Sequence, residues 1–99
     1  MVRIPTHREP THPGEMLLEE FLKPMGLSQR DLAEGIQVPY QRVNALVNRR
    51  RGITPSTALR LAKYLGTSPE FWMNLQFVWD LYHAQIDEAE ELKKIRRVR

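Results

Sequence analysis

Residues 27–48 read Leu-Ser-Gln-Arg-Asp-Leu-Ala-Glu-Gly-Ile-Gln-Val-Pro-Tyr-Gln-Arg-Val-Asn-Ala-Leu-Val-Asn, and their pattern decides the fold. Ser28 is a helix N-cap, and Asp31 three residues later makes a near capping box. The helix it opens runs to about Gly35 and buries Leu32, Ala33 and Ile36. A short turn follows. Pro39 suits the first position of the next helix, where its missing N–H costs nothing. Val43, Leu46 and Val47 form that helix's buried face, and Ala33 is small where two short helices must cross closely. The second helix exposes polar groups at its N-terminal end. A major-groove reader needs this arrangement: one helix lies across the backbone and the other enters a groove about 12 Å wide.

The flanking sequence supplies three more helices. Leu17, Leu18, Phe21 and Leu22 recur at helical spacing after Pro13 or Gly14, opposite Glu15, Glu19 and Glu20; Pro24 and Gly26 are expected to end that helix. Thr54 caps a fourth and Pro55 starts it, with Ala58, Leu61, Ala62 and Leu65 on one stripe and Gly66 as the stop. Ser68 and Pro69 repeat the device for a longer fifth helix, whose apolar residues are Phe71, Trp72, Leu75, Val78, Trp79, Tyr82 and Ile86. No strand pattern, internal repeat or low-complexity tract is present. Residues 1–12 read as an extended arm, 13–86 as the helical domain and 87–99 as a charged tail that frays or adds a phosphate contact.

Charge is distributed unevenly. The net charge is only +3, yet no Asp or Glu lies between Gly35 and Pro69, where Arg42, Arg49, Arg50, Arg51, Arg60 and Lys63 all fall. A basic patch over a helix-turn-helix is the footprint of a nucleic-acid binder. Cysteine is absent, which excludes a disulfide scaffold and thiolate metal sites and suits a reducing cytoplasm. His7, His12 and His83 lack ligand spacing, so neither metal nor cofactor is expected. No apolar run nears the roughly 18 residues of a membrane span, and the polar, proline-bearing start does not read as a signal peptide. No nucleophile stands beside a base and no Gly-rich phosphate loop occurs, so an enzyme is not expected.

The amides of Gln41 and Asn44 point away from the buried face and suit bidentate pairing with adenine. Tyr40 suits a thymine methyl or a phosphate. Gln29 and Arg30 are placed for phosphates, as are Asn48 and the Arg49–Arg51 run. With Pro39 and Arg42 on the same surface, the expected DNA-binding set is Gln29, Arg30, Pro39, Tyr40, Gln41, Arg42, Asn44, Asn48, Arg49, Arg50 and Arg51. The fifth helix holds five of the chain's eight aromatics. Phe77, Trp79 and Tyr82 are its expected homodimer interface.

At Ser28-Gln29, Leu32-Ala33, Val43, Leu46 and Asn48 the helix-turn-helix resembles the phage repressor class. The wider chain resembles the HigA-type antitoxins of bacterial toxin–antitoxin modules. The matching pieces are His12-Pro13-Gly14-Glu15, 21–28, Ile53-Thr54-Pro55, 58–62 and 68–76. The resemblance implies an all-α, five-helix, phage-repressor-like domain with a longer C-terminal helix. It also implies a cytoplasmic homodimer that binds operator DNA, represses its own operon and silences a cognate toxin, in this family usually a ribosome-dependent mRNA endonuclease. A stand-alone repressor without a toxin is the alternative, and an interaction module that has lost DNA binding is a third. Two positions depart from the pattern. Gln37 stands where the turn usually has Gly, which implies a strained positive φ. Arg49 stands where Gly often follows the recognition helix, which removes an easy C-cap.

Overall fold

The structure, a computed structural model, describes residues 8–98; His7 and the rest of the arm before it lie outside. Every regular element among the described residues is helical. Helix α1 spans 13–25, α2 Gln29–Ile36, α3 Tyr40–Val47, α4 Pro55–Leu65, α5 Pro69–Asp87 and α6 Ala89–Lys93. The last of these is a short helix inside the tail. All side chains from Ala84 to Val98 are exposed, so the end of α5 and α6 stand off the core.

Three helices begin with the same local chemistry: a side-chain acceptor, then proline. Thr54 Oγ1 accepts from the Thr57 amide and Ser68 Oγ from the Phe71 amide. The third instance is His12, whose Nδ1 accepts from the Gly14 amide at 2.9 Å. Each supplies a partner to an amide that the first turn leaves without one. Ser28 and Asp31 close a reciprocal capping box at 2.9 and 3.0 Å, and the Ser28 amide holds the Asp31 carboxyl below its ordinary range.

Pro24 does not end α1. The helix runs on to Met25, and Gly26 ends it at φ 66°. The backbone accommodates the proline by widening: Leu18–Leu22 is a π-helical segment, and the Lys23 amide reaches back to the Leu18 carbonyl. A ring without an N–H presses on the carbonyl four residues earlier, and a π turn relieves that crowding. Pro39 also sits one residue earlier than expected. It is the N-cap of α3, extended at ψ 145°, and contributes no side-chain cap.

The core joins all five main helices. Leu17 and Leu22 of α1, Leu32, Ala33 and Ile36 of α2, Val43 and Leu46 of α3, Ala58 and Leu61 of α4 and Trp72 of α5 are buried together. Trp72 is fully enclosed, and its indole N–H donates to Thr67 Oγ1 at 2.7 Å. The α1–α3 crossing is closest at Gly14, where a Cβ would overlap the Leu46 carbonyl. Hence α3 is seated directly against the first turn of α1.

Candidate nucleic-acid interface

Helix α3 turns Val43, Leu46 and Val47 inward. Gln41 is thereby exposed, while Tyr40, Arg42 and Asn44 are half-buried. Pro39, Gln41, Arg42, Ala45, Arg50 and Arg51 line one shallow groove between α3 and the loop that follows it. Of the expected reading residues Gln41 therefore shares this surface with the two loop arginines, while Asn44 and Tyr40 do not line it. At the start of α2, the Arg30 guanidinium lies 4.9 Å over the Tyr40 ring, tying the two helix N-termini together.

The turn between α2 and α3 carries the expected strain. Gln37 has φ 59°, and the Val38 amide bonds back to the Ala33 carbonyl. Arg60 compensates for the missing glycine: its Nη1 donates to the Ile36 carbonyl at 2.7 Å and reaches the Gln37 carbonyl at 3.4 Å. A cation at the negative end of α2 also suits the helix dipole. Arg60 therefore works inside the protein, although its charge places it in the basic patch when only sequence is read.

The other departure from pattern resolves in the same way. Arg49 adopts φ 63° after α3, with the Arg49 amide bonded to Leu46 and the Arg50 amide to Ala45 in a Schellman closure. Its side chain turns toward the arm and α5. Nη2 donates to Glu9 Oε1 at 2.9 Å, and the guanidinium lies 5.0 Å over Trp79. The other oxygen of Glu9 is 3.0 Å from His83 Nε2, within ion-pairing distance but out of line for a hydrogen bond. Asn48 also bonds inward, its amide donating to the Asn44 carbonyl at 2.9 Å. The Gly52–Ile53 end of the loop is held by Gln76, which accepts the Ile53 amide at 2.6 Å and donates to Asp80.

His12, Trp79 and His83 continue this cluster. His12 is buried, with its ring edge-on to Trp79 at 4.8 Å; burial first, and then the Arg49 charge, push its pKa down. A neutral imidazole is what the cap requires, since Nδ1 must accept. Trp79 is thus half-buried within its own chain, and Tyr82 rests edge-on against His83. Of the three residues expected at a dimer interface, Phe77 is the open one, 51% exposed.

A helix-turn-helix family model matches residues 18–72. The chain is 49% identical to virulence-associated protein I of Dichelobacter nodosus, covering 78% of this chain and 71% of that protein. It is 41% identical to antitoxin HigA-1 of Vibrio cholerae, over 92% of this chain and 86% of the relative. The chain belongs to the HigA antitoxin family of helix-turn-helix proteins. Among solved structures, Pseudomonas aeruginosa antitoxin HigA with the higBA promoter superposes with a TM-score of 0.88 at 37% identity, covering 92% of this chain and all of that one. The five-helix, phage-repressor-like architecture expected from sequence is therefore the fold, with α6 added. No helix among the described residues is long and apolar enough to cross a membrane.

Proposed function

We infer that this protein is an operator-binding antitoxin that represses its own operon and silences a cognate toxin. The observation that carries the DNA-binding half is the shared surface of Gln41, Arg42, Arg50 and Arg51 beside the cap of α3, on a fold that superposes on a HigA bound to promoter DNA. Gln41 enters the major groove to read a base edge. Arg30, Arg42, Arg50 and Arg51 engage phosphates and set affinity. The protein acts as a twofold dimer in the cytoplasm, where its operator lies, and regulates rather than catalyses.

The test is a gel shift with DNA from upstream of the protein's own gene against a scrambled duplex, with wild type and Gln41→Ala. Wild type should prefer the upstream DNA. Gln41→Ala should lose about 1–3 kcal/mol on that DNA alone. Equal losses on both duplexes would remove Gln41 from base reading. Silencing is checked by co-expression with the small neighbouring reading frame. A neighbour that is harmless when expressed alone would leave a stand-alone repressor.

A further inference from the structure

Asn44 lies between Gln29 at the start of α2 and Arg50 after α3, and both ends of its amide are already occupied within the protein. Its Oδ1 accepts from Arg50 Nη2 at 3.1 Å. Its Nδ2 donates to Gln29 Oε1 at 3.0 Å, with the Tyr40 hydroxyl 3.5 Å away. The orientation is fixed by chemistry. A guanidinium can only donate, so the atom facing Arg50 is the oxygen. The NH2 must then face Gln29, so Gln29 answers with its own oxygen. That leaves Gln29 with a free NH2, a pure donor, which matches a phosphate oxygen, a pure acceptor.

A bidentate adenine contact would need the Asn44 oxygen and NH2 together, and so would break the bonds to Arg50 and Gln29. Gln41, three residues earlier, is exposed, with no hydrogen bond from its amide to another of the described residues. We propose that Asn44 is a positioning residue, not a base reader: it registers two phosphate donors, Gln29 at the start of α2 and Arg50 after α3, against each other across the recognition helix. Ordering Arg50 beforehand matters because a free arginine side chain loses rotamer freedom when it is fixed on binding. The device turns one asparagine into a gauge of backbone spacing, so operator DNA whose phosphates do not match that spacing is disfavoured without a base contact.

The inference rests on α3 being the groove-entering helix, and the experiment separates the two. Binding is measured for wild type, Asn44→Ala, Gln29→Ala, Arg50→Ala, the Gln29→Ala/Arg50→Ala double variant and the triple variant. The targets are the operator, a set of single-base operator substitutions and random duplex, each over a range of salt. Alanine favours the helix at position 44, and circular dichroism confirms that each variant folds. A positioning role predicts that Asn44→Ala weakens operator binding about tenfold, by a similar factor for every single-base substitution. It should also flatten the log–log salt slope by about two for the dimer, as loss of one phosphate contact per subunit does. Asn44→Ala should add almost nothing once Gln29 and Arg50 are both alanine. A base-reading Asn44 gives the opposite result: preference relaxed at one operator position, the salt slope unchanged, and an additive loss in the triple variant. Either that pattern or an unaffected Asn44→Ala overturns the proposal while leaving α3 as the reading helix. A wild type with no preference for the operator overturns that reading and the proposal with it.

Discussion

The ring of His12 meets Trp79 edge-on at 4.8 Å, so the residue that caps α1 is also the residue that fastens α1 to α5. The same indole carries Arg49 on its face, and Glu9 ties that guanidinium to the arm. The C-terminus of the recognition helix, the start of α1 and the middle of α5 thus meet at one tryptophan. Exposed ion pairs are worth little singly, and the Glu9–Arg49 pair is about half exposed. The buried cap and the aromatic contacts carry more.

That geometry makes stability depend on pH. His12 accepts the Gly14 amide only when neutral, and its folded pKa lies below the ordinary 6.5. As pH falls below 6.5 the unfolded chain takes up the proton first, so the unfolded state binds more protons and stability declines. The decline continues to the lowered folded value and then levels off. Arg49 reinforces the shift, while Glu15, Asp80 and Glu9 oppose it. Urea midpoints at pH 7.5 and 5.0 should show the loss. His12→Asn keeps a capping acceptor without the titration and should lose less between the two. Identical losses in the two proteins would discard His12 as the cause.

Gly14→Ala tests the seating of the recognition helix. The added methyl meets the Leu46 carbonyl, part of the backbone and not a side chain that can swing away. Overpacking costs about 1–3 kcal/mol, against a helix-propensity gain of at most about 1. Each net kcal/mol should lower Tm by roughly 4–8 °C for a domain of this size. Operator affinity should fall as well, because α3 must shift to relieve the overlap. An unchanged Tm would mean that α1 and α3 separate without cost.

The salt dependence distinguishes arginines that sequence alone cannot. With Arg30, Arg42, Arg50 and Arg51 of two subunits on phosphates, about eight contacts give a log–log slope near −7. Replacing Arg50 and Arg51 together should bring it to about −3.5. Arg49→Ala should leave the slope close to that of wild type and lower stability instead, since Arg49 is held by Glu9 and Trp79. A slope flattened by Arg49→Ala as much as by Arg50→Ala would return Arg49 to the DNA.

The helices were legible in the sequence because their signals are local. Ser28 with Asp31, Thr54-Pro55 and Ser68-Pro69 each settle a boundary within four residues, and the apolar stripes of α2 to α4 need only their own periodicity. The candidate reading surface was legible for the same reason, since Gln41 is exposed once Val43 and Leu46 are buried. What was illegible depends on where a long side chain ends. Arg49 and Arg60 look like members of a basic patch, but their guanidinium groups travel to Trp79 and to the Ile36 carbonyl, partners 30 and 24 residues away in sequence. The cap at His12 was not read because histidine is a rare cap; the proline after it was the signal, shared with Thr54-Pro55. Asn44 has the chemistry of a base reader, and only the positions of Gln29 and Arg50 show its amide to be in use.

The dimer prediction changes with the structure. One reading helix per chain cannot reach two half-sites about 34–36 Å apart, so a twofold pair is needed. Trp79→Glu would be a poor probe, because it would break the contacts with His12 and Arg49 and confuse folding with assembly. Phe77 is the better residue. It lies on the same helix, is 51% exposed and forms no part of the buried core. If it meets its counterpart across the twofold axis, Phe77→Glu places two carboxylates in an apolar contact, which is strongly disfavoured. The variant should keep wild-type helical content, sediment as a monomer at micromolar concentration and lose most of its operator affinity. Its affinity for random duplex should fall far less, because each monomer retains its own arginines. A Phe77→Glu protein that still sediments as a dimer would exclude this part of α5 from the interface and direct the search to the arm at residues 1–12.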